Sequence, residues 1–381
     1  MTDSHRALHI AFVCDTVAGR LGGGVVAARH VIAGLRARHR VTVFASDATD
    51  PGDVRLSGFQ LPLKAMREMQ FTMARPDRAL LEQRFAEVDV VHVQFPFWLG
   101  IVAVDAARRT GRPVVAAFHV QPENALANVG VRSRWLSRLV YKHWVSRFFG
   151  RADAVVVPTP FAERKLREHG LVRPVHVVSN GVPPDLRVPE APQREPGHAG
   201  AFLVLAVGRL ASEKRQDVIL EAVRRCRHRD RIRLVLAGAG PLEEELRAKA
   251  EELPHPPEIG FLPRARLARL LATADLFVHA SEVELEGIAV LEAMSAGLPV
   301  LVAQSPESAA SALAVSDDFR FPAGDAAALA ERIDALVERP SLLRDAAHRR
   351  LGASAPSSFD AGVERLVEVY RSVISPPGGP S

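Results

Sequence analysis

The chain has 381 residues, long for a single hydrophobic core and of the size that divides into two domains. It is 48% apolar and 24% charged, an ordinary globular composition that excludes a disordered or fibrous chain. No run reaches the length of a membrane span, the start MTDSHRALHI lacks an apolar secretory segment, and Cys14 and Cys226 lie too far apart for metal or redox spacing. A reducing cytoplasm is expected.

In chain order, the first half alternates short β-branched apolar runs with helical ones. Strands are expected at 8–15, 41–45, 89–95, 113–119, 154–158 and 175–179, with helices such as 24–38 and Pro160–Glu168 between them. Residues 183–199 are polar and rich in Pro, which marks a linker. The pattern then restarts, with strands at Phe202–Val207, Ile232–Ala237, 259–262, 276–280 and 299–303 and helices over 214–227 and 241–252. A run from Gly287 to Gly297 reads as a further helix, and Phe359–Ile374 as the last. This alternation predicts an α/β fold of two doubly wound parallel sheets. The expected domains are 1–183, a linker over 184–199, 200–356, a crossover helix over 357–375 returning towards the first domain, and a disordered tail over 376–381.

Charge is divided unevenly. Residues 1–183 carry 25 Lys+Arg against 15 Asp+Glu, a balance of +10; residues 184–381 carry 24 against 29, a balance of −5. A basic first half is expected to meet an anionic surface. A nucleic-acid partner is not expected, and nothing in the sequence sets an oligomeric state.

The stretch SEVELEGIAVLEAMSAG, residues 281–297, places Glu284 and Glu292 on either side of Gly287. Glu292 is the only charged residue between Gly287 and Pro306, and a carboxylate in such company is rarely buried without a partner. The helix start near Gly287 and Ile288 offers free N–H groups and positive partial charge, a seat for phosphate. Glu292 could accept hydrogen bonds from two neighbouring hydroxyls, as a ribose presents them. The spacing equally fits a helix whose one Glu faces solvent.

Ligands of open α/β sheets bind beyond the carboxyl ends of the strands. There this chain has Gly22-Gly23-Gly24, His119, Asn180-Gly181, Arg209, Gly238-Ala239-Gly240 and Glu284, which together suggest a cleft between facing domains. The three glycines could let a phosphate reach backbone N–H groups, or form a loose loop. Arg209 and Lys214 could contact a diphosphate, or be solvated like other surface cations; Lys is rare here, with five in the chain. His119 reads as a substrate contact or as a hydrogen-bonded structural histidine.

Residues 132–151, RSRWLSRLVYKHWVSRFFGR, hold six Lys+Arg, no acid and two of the three tryptophans. Arg134, Trp135, Arg138, Lys142 and Trp144 suit an anionic membrane surface, where aromatics sit at headgroup level. Up to Lys142, the helical wheel turns Trp135, Leu136, Leu139 and Val140 away from Arg134, Arg138 and Lys142. A core helix with a solvated basic edge fits as well.

Together these motifs resemble glycosyltransferase family 4, retaining enzymes of the GT-B fold. The resemblance runs through Gly22–Gly24, HVQFPFWLG from His92, FHVQPEN from Phe118, SNGV from Ser179, VGRLASEK from Val207, GAGP from Gly238 and ELEGIAVLEAM from Glu284. It covers essentially the whole chain and implies two Rossmann-like domains facing a central cleft. It also implies that Glu292 holds the donor ribose and Glu284 the transferred sugar. Backbone near Gly287 and Ile288, with Arg209 and Lys214, would hold the diphosphate; Leu262 would lie by the nucleobase, and His119 would meet the sugar from the opposite domain. Gly23, Gly24, Asn180 and Gly240 complete the donor-binding set, while His119, Arg209, Lys214 and Glu284 carry the chemistry. No cofactor or metal is implied beyond the nucleotide-sugar co-substrate.

The chain departs from the family pattern at Glu286, where an aromatic is usual, and at Arg215, where Gly is common. Because Glu282, Glu284 and Glu286 alternate, the register of the first functional glutamate rests on its spacing to Gly287. Within the family, HVQFPFWLG and FHVQPEN are similar to bacterial enzymes that glycosylate diacylglycerol. UDP-glucose as donor, a lipid acceptor and peripheral attachment to the inner face of the plasma membrane are therefore expected. Alternatives are a mannosyl- or galactosyltransferase acting on a polysaccharide or soluble acceptor, and a non-catalytic sugar-nucleotide-binding protein. A nicotinamide oxidoreductase would share the sheet, but the G-x-G-x-x-G spacing is missing.

Overall fold

Two parallel sheets carry the chain in the computed structural model, which describes residues 6–18, 23–60, 71–127, 130–131, 133–182, 185–186, 190–352 and 358–375. Each sheet forms its own unit, one made of residues 1–180 and 359–381, the other of residues 181–358. In the first unit, β1 (His9–Val13), β2 (Arg40–Ala45), β3 (Val54–Arg55), β4 (Val90–Val93), β5 (Val114–Ala117), β6 (Ala154–Val157) and β7 (Val175–Val177) pair in the order β3-β2-β1-β4-β5-β6-β7. In the second, β8 (Phe202–Val207), β9 (Ile232–Ala237), β10 (Glu258–Gly260), β11 (Leu276–His279), β12 (Val300–Gln304) and β13 (Arg320–Pro322) pair as β10-β9-β8-β11-β12-β13. All these pairings are parallel. Each order reverses beside the unit's first strand, so the switch points lie between β1 and β4 and between β8 and β11.

Strand β8 shows why these segments read as unbroken apolar runs. Leu203 and Leu205 enter one core with Phe277 and Val290, while Val204 and Ala206 enter the other with Leu234 and Leu236. Both faces are covered, so alternate side chains are buried alike. The apolar signal also outruns the ladder. Phe95 and Phe118 are buried but lie past the ends of β4 and β5, so those strands are shorter than their hydrophobic runs. The edge strands β3 and β13, and the short pairs Gly58–Phe59 with Met73–Ala74 and Val283–Glu284 with Glu307–Ser308, are too short to show a period.

The Pro-rich segment is not a loose linker where it is described. Arg194 donates to Ala201 O at 2.8 Å and pairs with Asp275 at 2.9 Å, and Glu195 pairs with Arg266 at 2.7 Å. Its composition marks a break in periodicity that side-chain pairs then fasten to the second unit. Gly22, Arg132, residues 183–184 and 187–189, residue 357 and the tail at 376–381 lie outside the described residues.

The C-terminal helix Phe359–Ile374 packs in the first unit, where Leu366, Val369 and Tyr370 share a core with Ile10, Phe12, Val90, Val115 and Val156. Two glycines permit its close approach. A Cβ on Gly362 would stand 2.4 Å from Ser179 O, and one on Gly34 would stand 2.9 Å from Val363.

Candidate active site

At the second switch point the chain leaves β8 through Gly208 and reaches Lys214 before the helix Gln216–Arg225. Lys214 Nζ lies 2.6 Å from Glu284 Oε2, and His279 Nε2, from the last residue of β11, lies 3.4 Å from the same oxygen. Burial by itself would raise the Glu284 pKa, but Lys214 and His279 outweigh it and hold the carboxyl well below the usual range. Glu284 is therefore an anion clamped by two basic groups. Arg209 pairs with the buried carboxylate of Glu213 beside them.

These contacts resolve the alternating glutamates. Glu284 takes Lys214, Glu282 takes Arg215, and Glu286 is buried. Arg215 has φ 53°, the left-handed conformation in which glycine is comfortable, and it precedes the helix Gln216–Arg225. Its guanidinium also reaches Asp217 at 3.1 Å, so ion pairing offsets a backbone geometry that disfavours a side chain.

Gly287, with φ 87°, opens the helix Ile288–Ser295, and its carbonyl accepts from Val290 N at 2.8 Å and Leu291 N at 3.0 Å. The N–H groups of Ile288 and Ala289, ahead of those two, precede any intrahelical acceptor and carry the positive partial charge of the helix start. Ile288 is half-buried there. One turn on, Glu292 is 5% exposed and bonds to Arg264 Nη2 at 2.6 Å, so the solvent-facing reading fails. The same nitrogen is 3.1 Å from Asp185 Oδ1. Burial raises the Glu292 pKa and Arg264 opposes the shift.

Three residues of this edge escaped the sequence reading. Arg264 begins an ordinary basic helix, and only the need of a buried Glu292 for a counter-ion pointed to it. Glu213 is local to Arg209, and the strand-end rule covers His279 at the end of β11. The glycines of GAGP have a packing role. A Cβ on Gly238 would meet Gly208 O at 1.9 Å, and one on Gly240 would meet Leu210 O at 2.3 Å. Leu262 is 9% exposed and joins Leu205 and Leu267 in the core, so its side chain is not presented at the surface.

The first switch point sets two neutral histidines at the ends of β4 and β5, near the buried Asp15 carboxyl past the end of β1, whose pKa burial raises to about 7. Gly24 and His119 adjoin one another, since a Cβ on Gly24 would stand 3.5 Å from His119 Cβ and 3.0 Å from Phe95 Cε1. A Cβ on Gly23 would meet nothing within 4 Å. Burial, with a smaller contribution from His92, pushes the half-buried His119 down to about 3. His119 is therefore a neutral hydrogen-bonding group. It lines a small pocket with His92, Gln94, Ser179, Asn180 and Phe359.

A family profile for group 1 glycosyl transferases matches residues 189–353, and one for Glycosyltransferase Family 4 matches residues 21–186. A GDP-mannose-dependent alpha-mannosyltransferase of Mycolicibacterium smegmatis is 30% identical over 314 residues, 77% of this chain and 79% of that protein. The chain belongs to glycosyltransferase family 4. An alpha-monoglucosyldiacylglycerol synthase of Streptococcus pneumoniae is 23% identical over 321 residues, 78% of this chain and 72% of that protein. Anabaena HepE, solved with UDP and glucose, superposes with a TM-score of 0.72 at 20% identity, covering 96% of this chain and all (100%) of that one. The fold is GT-B.

In this glycosyltransferase the basic helix is Arg134–Arg147, started by Ser133 accepting from Leu136 N at 3.3 Å. Its apolar residues are not all turned from the cations. Trp135 is 69% exposed, and helical spacing places it with Leu139 on the same exposed side as Arg138 and Lys142. Trp144, expected on that surface, is 6% exposed and packs edge-on against Phe97. Ser137, Tyr141 and Val145 complete the buried side. Among the described residues no helix is long and apolar enough to cross a membrane.

Folding also assembles an acid–histidine cluster that spacing did not suggest, Glu195, His198 and Glu258. Arg266 already bridges it, 2.7 Å from Glu195 and 2.8 Å from Glu258. Its guanidinium supplies the counter-charge and holds the Glu195 pKa down.

Proposed function

We propose that the enzyme moves a hexose, with glucose the first candidate, from a uridine-diphosphate sugar to a lipid hydroxyl such as that of diacylglycerol, with retention at the anomeric carbon. The carrying observation is the Lys214–Glu284 pair at the second switch point. Departure of a nucleoside diphosphate builds negative charge. Lys214, Arg209 and the helix start at Gly287 and Ile288 supply fixed positive groups for it, and preorganised electrostatics of this kind dominate many enzymes. Glu284, held ionised, accepts hydrogen bonds from the sugar. Glu292 accepts them from the ribose while Arg264 opposes the upward pull of burial on its pKa, and Gly240 and the backbone at Leu262 border the nucleoside.

Gly23, Gly24, Asn180 and neutral His119 offer hydrogen-bonding groups to the sugar and acceptor. Positive charge comes from side chains and a helix terminus, so the reading needs no resident metal. The lipid half rests on the relative named alpha-monoglucosyldiacylglycerol synthase and on the exposed face of Arg134, Trp135, Arg138, Leu139 and Lys142, which suits an anionic bilayer. That face supports a peripheral position at the inner side of the plasma membrane.

The test is UDP release from UDP-glucose, with and without anionic vesicles containing diacylglycerol. Strong stimulation with formation of glucosylated lipid supports the reading, and lipid-insensitive release discards the membrane acceptor. The 30% identity to a mannosyltransferase favours a second reading, with GDP-mannose as donor. A parallel arm with GDP-mannose separates the two, and no release from any sugar nucleotide would favour a binding protein.

A further inference from the structure

The first switch point contains a run of side-chain hydrogen bonds whose direction is set by its chemistry. Gln94 Nε2 donates to the Gly24 carbonyl at 3.2 Å. The Gln94 Oε1 is then the acceptor facing His92 Nε2 at 3.1 Å, which puts the imidazole proton on Nε2. The opposite nitrogen, Nδ1, is left to accept, and the Tyr370 hydroxyl lies 2.9 Å from it. Each bond of the run then has one donor and one acceptor, so the run has one consistent orientation.

Its members are held from all sides. His92 pairs in register with Phe12 across the β1–β4 ladder, and their rings stack at 4.4 Å. Burial keeps the imidazole neutral, pushing its pKa down to about 4. Tyr370 is fully buried on the C-terminal helix, whose position is set by Gly34 and Gly362 against Val363 and Ser179. Removing a hydroxyl from this network leaves a buried acceptor without its donor, which costs more than the average hydrogen bond contributes.

We propose that Tyr370, His92 and Gln94 act in series as positioning residues that hold the Gly24 carbonyl, and with it the start of the helix Gly23–Arg36, in the geometry that turnover requires. The C-terminal helix, the last element of the sequence, thereby sets the glycine segment that follows the first strand. This rests on the reading of that edge as substrate-facing, which its place at the switch point between β1 and β4 supports. His92 and Gln94 sit two residues apart at the end of one strand and together span the gap between Tyr370 and Gly24.

The experiment compares Tyr370→Phe, Gln94→Glu and the double variant in the full-length protein. Phe keeps the ring, and Glu in its ionised form still accepts from His92 but cannot donate to Gly24. Each single change is expected to lower turnover about tenfold, the loss of roughly one buried hydrogen bond. The double variant should lose no more than the weaker single, because either cut breaks the same series. Hydrogen exchange at the amides of residues 24–28 should quicken in both singles, and nitrogen NMR should show wild-type His92 as the Nε2–H tautomer. Multiplicative losses in the double, unchanged exchange, or an Nδ1–H tautomer would overturn the proposal. The exchange and tautomer readings need no substrate. If Tyr370→Phe does not fold, exchange in Gln94→Glu and the wild-type tautomer still decide the matter, whether or not a sugar nucleotide is turned over.

Discussion

The two switch points share one topology and differ in electrostatics. That of the first unit has no ion pair among the residues of its hydrogen-bonded run: His92 and His119 are uncharged by burial, and His92 is joined to Tyr370, Gln94 and the Gly24 carbonyl. That of the second is ionic, with Lys214–Glu284, Arg209–Glu213, Arg215–Glu282 and Arg264–Glu292 gathered around the ends of β8 and β11 or the helix beyond them. The same strand order thus supports two recognition chemistries. Paired charges suit a diphosphate and its ribose, whereas neutral donors and acceptors suit hydroxyls. The sheet decides where a ligand sits, and the side chains at its edge decide which ligand.

The largest expected effect tests the ionic edge. Lys214→Ala should lower turnover by about 10²–10³, the range for losing one preorganised charge-stabilising group, and, because Glu284 loses a counter-ion, should lower the melting temperature while the protein still folds. Near-wild-type UDP release from that variant would remove Lys214 from the chemistry and leave the ionic edge as structural pairing.

Acid should separate the edges next. The folded pKa of His92 is about 4 against 6.5 for an ordinary histidine, so its contribution to stability is complete above pH 6.5 and is lost as pH falls through that window. The loss approaches about 3 kcal/mol at pH 4, because the unfolded chain takes up a proton that the buried ring refuses. Glu284 has a depressed pKa, so its contribution is lost only below the ordinary carboxylate range. In an Asp15→Asn background, which removes the opposing proton uptake of a buried carboxyl raised to about 7, hydrogen exchange between pH 7 and 5 should therefore show the first unit loosening before the second. Simultaneous loosening would mean that burial does not distinguish the edges in this way.

The basic helix offers a third contrast, within the first unit itself. Neutralising Arg134, Arg138 and Lys142 together should weaken partitioning onto anionic vesicles about a hundredfold, at roughly 1 kcal/mol per cation, and leave nucleotide affinity unchanged. Replacing buried Trp144 should instead lower the melting temperature. If the triple variant binds vesicles normally, the exposed Trp135 face has another use.

The smallest effect concerns the donor. Glu292→Ala should weaken nucleotide-sugar binding about tenfold by calorimetry, the scale of one or two charge-assisted hydrogen bonds, with a smaller change in maximal rate. Unchanged affinity would make Glu292 a counter-ion for Arg264 and nothing more.

The sequence by itself determined the two doubly wound halves, most strand positions and the residues at their carboxyl ends. Apolar periodicity, β-branching and glycine placement are local signals, and they specify local structure directly. Only the tertiary structure decided which charges meet. Lys214 and Glu284 are 70 residues apart, Arg264 and Glu292 are 28 apart, and Tyr370 reaches His92 across 278. It also decided that Trp144 turns inward while Trp135 stays exposed, a choice the helix alone could not make because both sides of it carry aromatics. The segment around Arg194 and Glu195 looked like a linker for the same reason: its composition was visible, but its partners Asp275 and Arg266 were distant in sequence. Pairing energies depend on separations of a few ångströms, and those separations are fixed only when the sheet order brings distant strand ends to one edge.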